Sequence, residues 1–161
     1  MINFFAEDST FKLKNKLQYR QWIKLVVKQE GKKLGALNYI FCSDAYLLHI
    51  NKTYLQHNTY TDIITFDQAE KPHTVQGDIY ISVERVSENA QTFQTDFSVE
   101  LARVMIHGVL HLMGYDDHKE ADKLLMRQKE NDALRLLTHF IPAMLSLGLN
   151  TFQNDSPTSK V

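Results

Sequence analysis

An apolar stretch at residues 101–113 carries two histidines four positions apart and is followed at once by a glycine, Gly114. Residues four apart lie one above the other in an α-helix, so His107 and His111 would present their imidazoles on one face. Gly114 has no Cβ and can take the left-handed conformation that ends a helix. The stretch therefore predicts a helix over residues 98–113 with a sharp turn after it, and the fold has to give both imidazoles a partner.

The residues after this turn supply candidates for a third metal ligand: Asp116, Asp117 and His118. Imidazole nitrogen and carboxylate oxygen are both ordinary zinc ligands. Three protein ligands leave a fourth position open for water, which is the arrangement of a catalytic zinc site. Because two adjacent imidazoles are costly to bury without a partner, we predict one bound zinc ion here rather than a pair of core histidines.

The residue after the first histidine separates this motif from that of common metalloproteases. In the pattern His-Glu-x-x-His the glutamate is the general base, whereas this chain has Gly108 at that position. Water on zinc ionises near neutral pH without that carboxylate, which still permits hydrolysis of a phosphodiester. The motif therefore predicts a hydrolase and disfavours peptidase chemistry.

Length and composition limit the number of domains and the location of the protein. The 161 residues are enough for one domain with a real core. We expect a metallohydrolase domain over residues 1–145 and a flexible tail over the polar residues 146–161. The only cysteine, Cys42, cannot form a disulfide within the chain, and the first residues lack the pattern of a secretory signal. No apolar run approaches the roughly 18 residues of a membrane span, so we predict a cytoplasmic protein.

Strand-type segments dominate the first half of the chain and helical segments the second, which is the order of an α+β fold. The strands are predicted at residues 2–6, 36–41, 62–66 and 77–82. A basic helix should end at Gly31, and Ser43 or Asp44 should cap the next helix, which runs to residue 55. The remaining helices are expected at residues 83–92, 98–113 and 118–139.

The distribution of charge is uneven, although the net charge is only −1. Residues 10–35 contain eight basic residues and a single acid, Glu30. This segment is either a surface for RNA phosphates or the ordinary solvated face of an amphipathic helix. Five of the basic residues recur every four positions, and we call them the basic stripe: Lys12, Lys16, Arg20, Lys24 and Lys28.

Four motifs in order resemble one known family. Residues 107–116 match, without a gap, the signature His-Gly-x-Leu-His-Leu-x-Gly-Tyr-Asp, and residues 51–54, 61–66 and 77–82 match three upstream segments. On these residues the sequence resembles the YbeY endoribonucleases, also called rRNA maturation factors, over roughly residues 36–135. Several ordered motifs are far more specific than one.

The resemblance implies a single α+β, zincin-like domain in which a small mixed sheet packs against helices and the metal-bearing helix is central. It also implies one zinc ion held by three histidines and cleavage of single-stranded RNA. The implied partners are ribosomal RNA precursors and the small ribosomal subunit, with roles in maturing the 3′ end of its RNA and in ribosome quality control.

The chain departs from the family pattern at two places. The third family histidine corresponds to Asp117, and His118 stands one place later, so either residue could complete the metal site. The family arginine that would face phosphate corresponds to Leu55, which cannot take that role. Arg103, one turn before His107, is our candidate catalytic cation, and His57 is another; either could also be an ordinary surface residue.

The sequence is therefore compatible with three functions. They are a zinc-dependent endoribonuclease, a metallohydrolase of another substrate such as a peptide, and a ribosome-associated binding protein with a structural metal. The basic stripe favours RNA in the first and third. Gly108 disfavours a peptidase. We predict the endoribonuclease.

Overall fold

A four-stranded mixed sheet lies at the centre of the computed structural model, which describes residues 1–147. Its strand order is β1-β2-β4-β3. Strands β1, β2 and β4 are parallel, and β3 runs antiparallel to β4 at the edge. The predicted α+β class with a small mixed sheet is confirmed. The strands are β1 (Ile2–Ala6), β2 (Lys33–Cys42), β3 (Ile63–Asp67) and β4 (Thr74–Ser82).

Five α-helices and one short 3-10 helix account for most of the remaining residues between 1 and 147. The predicted bounds of α3 agree with the structure residue for residue. The predicted tail begins inside the 3-10 helix, which the sequence did not indicate, and the rest of that tail lies outside the described residues. The helices are α1 (Lys16–Gln29), α2 (Asp44–Leu55), α3 (Val83–Thr92), α4 (Phe97–Leu112), α5 (Glu120–Phe140) and the 3-10 helix Pro142–Leu147.

Helix α4 forms the centre of the hydrophobic core and packs against β3 and β4 as well as against α3 and α5. Its close approach to the sheet depends on Gly108. A Cβ at this position would lie 2.9 Å from Ile63 Cδ1 and 3.0 Å from Ile79 Cδ1. The missing side chain therefore lets α4 lie directly on the sheet, which fixes the helix that carries both histidines.

Local capping explains where the functional helices begin and end. The Ser43 hydroxyl accepts a hydrogen bond from Tyr46 N at 3.0 Å, as predicted for a residue that caps α2. Gly114 has φ +99°, and Tyr115 N after it donates to Leu110 O at 3.0 Å. The predicted turn after α4 is therefore present.

No helix within residues 1–147 combines the length and the apolar character that a membrane span would need.

Candidate metal centre

Helix α4 and the turn after it bring three ligand-type side chains together. The rings of His107 and His111 lie with their centroids 4.5 Å apart. Asp117 Oδ2 is 3.3 Å from His107 Nε2 and 3.5 Å from His111 Nε2. The three ligand atoms all lie within 4.8 Å of one another. A single ion placed between them could contact all three, so these side chains could hold a metal. We call His107, His111 and Asp117 the metal group.

His118, the other candidate for the third ligand, lies away from this group. Its side chain is 84% exposed, and its Nε2 is 3.3 Å from Asp116 Oδ1. With Asp116 and Asp117 it forms a second and more exposed group. The structure thus brings Asp117, and not His118, to the two histidines, because the short turn at Gly114 returns the chain to the end of α4 at position 117.

Glu30, at the end of α1, forms hydrogen bonds that stabilise the turn carrying Asp117. Tyr115 donates its hydroxyl hydrogen to Glu30 Oε2 at 2.7 Å, and Lys129 Nζ on α5 donates to Glu30 Oε1 at 2.9 Å. Partial burial acts to raise the pKa of Glu30, but the hydrogen bonds from Lys129 and Tyr115 outweigh it and lower the pKa below its usual range. The only acid in the basic segment therefore serves to position the turn.

Comparison with known proteins assigns the chain to a family. A family model described as Endoribonuclease YbeY matches residues 3–138 of the chain. The chain belongs to the YbeY family. Two relatives named Endoribonuclease YbeY, from Christiangramia forsetii and Flavobacterium psychrophilum, are 50% and 51% identical to it. Their alignments cover 84% of this chain, and 93% and 96% of the respective relatives.

A solved structure agrees with this assignment. The solution structure of a protein from Thermotoga maritima aligns with a TM-score of 0.64 and 26% sequence identity, over 99% of this chain and all of that protein. The YbeY resemblance inferred from four short motifs is therefore confirmed over most of the chain.

Behind His107, a buried carboxylate on α5 completes the site of this YbeY-family chain. Glu130 Oε2 lies 2.7 Å from His107 Nδ1, and Glu130 Oε1 accepts a hydrogen bond from Arg103 Nη1 at 3.0 Å. The Glu130 side chain is only 6% exposed. Its position on the inner face of α5, four residues from buried Met126 and Leu134, is the signal that could have revealed it, since an acid on an apolar helix face needs a partner.

Neighbouring charges change the pKa values of both His107 and Glu130. Burial acts to lower the pKa of His107, but the hydrogen bond to Glu130 and the charges of Glu130, Asp117 and Asp62 outweigh it and raise the pKa. Burial acts to raise the pKa of Glu130, and its bonds to His107 and Arg103 bring the pKa below the usual range. Glu130 is thus a carboxylate at neutral pH.

Arg103, the candidate catalytic cation, lies in the protein interior. We expected its guanidinium to contact substrate phosphate, but the side chain is 7% exposed and forms an ion pair with Glu130. One turn before His107, α4 is covered by α5, so a side chain at this position is enclosed between the two helices. Arg127 is the guanidinium that reaches solvent beside the site, with its side chain 60% exposed and Nη1 3.5 Å from Glu130 Oε1.

Leu55, which replaces the family arginine, is the last residue of α2 and is partly exposed. His57 lies two residues later, in an exposed loop. Neither side chain has a hydrogen bond or ion pair with the metal group among the contacts of residues 1–147. The geometry therefore gives no support to His57 as a replacement for the family arginine.

The basic stripe is less uniform than its spacing suggested. Helix α1 begins only at Lys16, because Asn15 before it adopts a left-handed conformation, so Lys12 lies in the preceding loop. Arg20 is used inside the fold: its Nε donates to Ile2 O at 2.9 Å, and its guanidinium lies 5.0 Å from the centre of the Phe4 ring. The exposed helical members of the stripe are Lys16, Lys24 and Lys28.

Proposed function

We propose that this chain is a zinc-dependent endoribonuclease that cleaves single-stranded RNA, with the zinc held by His107, His111 and Asp117. The observation that carries the proposal is the convergence of these three ligand atoms within 4.8 Å, in a chain that belongs to the YbeY family. The relatives named Endoribonuclease YbeY support RNA as the substrate.

The donor set fits zinc. Two imidazole nitrogens and one carboxylate oxygen form a catalytic type of ligand set, with three protein donors and an open position. The three side chains keep 20%, 26% and 35% of their surface exposed, so an RNA strand can approach these residues from solvent. When bound, zinc supplies Lewis acidity that activates water near neutral pH and polarises a phosphoryl oxygen.

The contribution of the chain itself is rigid positioning. His107 and His111 lie on a helix whose other faces are buried, and the turn that carries Asp117 is tied to α1 and α5 through Glu30. Preorganised ligands do not have to be ordered during the reaction, which favours catalysis.

As more specific parts of the proposal, we assign ribosomal RNA precursors and the small ribosomal subunit as partners and the cytoplasm as the location.

Cleavage of one labelled RNA, single-stranded or annealed to its complement, tests this function. We expect purified zinc-loaded protein to cut the single strand, to spare the duplex and to lose activity when a chelator removes the metal. A His107→Ala/His111→Ala variant purified in the same way controls for contaminating nucleases. Cleavage that survives both the chelator and this double substitution would refute the proposal. A zinc-loaded protein that binds small ribosomal subunits but cuts no RNA would instead establish the binding-protein alternative.

The basic stripe gives a prediction about RNA affinity. If Lys24 and Lys28 neutralise phosphates, log K for single-stranded RNA should fall steeply with log salt concentration. Replacing both lysines with glutamine should then reduce the slope by roughly 1.4, or about 0.7 for each phosphate that the variant no longer neutralises. Titrations of zinc-free protein with fluorescent RNA at several salt concentrations measure the slope without cleavage.

A matched control removes the same charge elsewhere. Lys52 and Lys71 are exposed and lie outside the basic residues 10–35, so Lys52→Gln/Lys71→Gln should leave the slope close to that of the unsubstituted protein. Equal slopes for both double variants would show that the stripe is an ordinary solvated face.

A further inference from the structure

Glu130 differs from the other acids near the metal group because it contacts a ligand histidine on the side that faces away from the site. Its Oε2 is 2.7 Å from His107 Nδ1, while His107 Nε2 faces Asp117 at 3.3 Å. The two ring nitrogens of His107 therefore have separate partners, one in the protein interior and one at the metal group.

This arrangement determines which nitrogen carries the proton. A carboxylate accepts hydrogen bonds and cannot donate one. The neutral His107 ring must therefore have its hydrogen on Nδ1, because the other tautomer would direct a lone pair at the Glu130 oxygen. The lone pair of Nε2 is then free to bind a metal on the side of Asp117 and His111.

Glu130 is itself held in place. Its second oxygen accepts a hydrogen bond from Arg103 Nη1 at 3.0 Å, and both side chains are almost fully buried. A buried carboxylate with two cationic or hydrogen-bonding partners has little freedom to rotate away from either. Arg103 therefore acts on the site through Glu130.

The two ligand histidines are not equivalent in this respect. The ion pairs of His111 in the described part of the chain involve Asp117 alone, so no buried carboxylate orients its ring as Glu130 orients that of His107. The effect of Glu130 should thus be confined to one of the two imidazoles.

We propose that Glu130 is a positioning residue, which fixes the Nδ1-protonated tautomer of His107 and its ring orientation, and that Arg103 holds Glu130 in place for this role. The inference rests on the metal-binding part of the proposed function. A ligand histidine with its other nitrogen bound to a carboxylate is oriented and made more basic, and losing such a partner typically weakens metal binding by about 10- to 100-fold.

Two measurements test this role without relying on activity. The first is ¹⁵N NMR of the histidine rings in unsubstituted, zinc-free protein, at alkaline pH, where the His107 ring is neutral. We expect the His107 ring to have its hydrogen on Nδ1. A ring protonated on Nε2 would overturn the proposal without any variant.

The second measurement is the zinc dissociation constant of Glu130→Gln, which we expect to be about 10- to 100-fold weaker than that of the unsubstituted protein. Asp44→Asn is the matched control, because Asp44 is also an acid paired with an arginine, Arg85, but forms no ion pair or hydrogen bond with His107, Arg103 or Glu130 among the contacts of residues 1–147. The control should bind zinc within about twofold of the unsubstituted protein. If Glu130→Gln does not fold, Glu130→Asp keeps the charge, shortens the side chain and should give an intermediate affinity.

The possible outcomes are distinguishable. Zinc binding by Glu130→Gln as tight as that of the unsubstituted protein would refute the positioning role. Equal losses in Glu130→Gln and Asp44→Asn would show that removing any paired acid has the same effect, and would also refute the positioning role. Failure of the unsubstituted protein to bind zinc would refute the proposed function itself.

Discussion

Replacing His111 with alanine is expected to remove zinc binding and, with it, RNA cleavage. His111 supplies one of the three side-chain donors that converge in the metal group. Removing a donor from the ligand set should lower the zinc affinity by more than the roughly 100-fold typical of a partner outside it. The fold should survive, because the His111 ring lies at the solvent side of α4 and is not part of its buried core. Metal content after dialysis, measured together with the circular dichroism spectrum, tests this expectation.

The third ligand can be resolved by the same measurement. Asp117→Ala should lose zinc as His111→Ala does, whereas His118→Ala should keep it, because His118 is exposed and paired with Asp116. His118→Ala is thus the control for nonspecific effects of substitution in this turn. Full zinc occupancy in Asp117→Ala together with loss in His118→Ala would reverse the assignment and imply that the turn rearranges when metal binds.

Gly108→Glu is expected to destabilise the protein strongly rather than to create a peptidase. The substitution produces the metalloprotease pattern, but a Cβ at this position would already lie 2.9 Å from Ile63 Cδ1 and 3.0 Å from Ile79 Cδ1. A longer, charged side chain would have to be buried against the sheet or push α4 away from it. We expect a loss of more than about 4 kcal/mol in the free energy of unfolding. Thermal unfolding should show a midpoint lower by roughly 10 °C or more.

Gly108→Ala is the graded control for this prediction. The extra methyl group would lie 2.9 Å from Ile63 Cδ1 and 3.0 Å from both Cδ1 and Cγ2 of Ile79. Overpacking of this kind costs at least about 1 kcal/mol, and the preference of a helix for alanine over glycine offsets about 1 kcal/mol of that cost. Its stability should therefore stay within about 1 kcal/mol of the unsubstituted protein. A stable Gly108→Glu protein with peptidase activity would show that α4 can move away from the sheet, and would bring back the peptide-hydrolase alternative.

The location of Gly108 also disfavours peptidase chemistry. From the sequence, Gly108 meant the absence of a general base. In the structure, the same residue is the contact through which α4 lies on β3 and β4. A position that faces the sheet cannot present a side chain to the metal group without disrupting the core, so the two observations disfavour peptidase chemistry independently.

Local patterns were sufficient to predict most of the elements. The bounds of α3, the cap at Ser43 and the turn at Gly114 agree with the structure, because each depends on residues within one turn of the chain. The basic stripe does not mark the start of α1, since the four-residue spacing continues back to Lys12 although the helix begins only after the left-handed Asn15. The charge pattern carries no information about that backbone conformation.

By itself, the sequence determined that His107 and His111 share one helix face and that a turn follows them, because a spacing of four residues and a glycine act over a few ångströms of chain. Only the tertiary structure brought Asp117, rather than His118, close to the two histidines, placed Glu130 behind His107 and enclosed Arg103 between α4 and α5. These contacts join α4, α5 and the end of α1. Their geometry is set by how the helices pack across one core, and residues as far apart in the chain as Glu30 and Tyr115 meet only there.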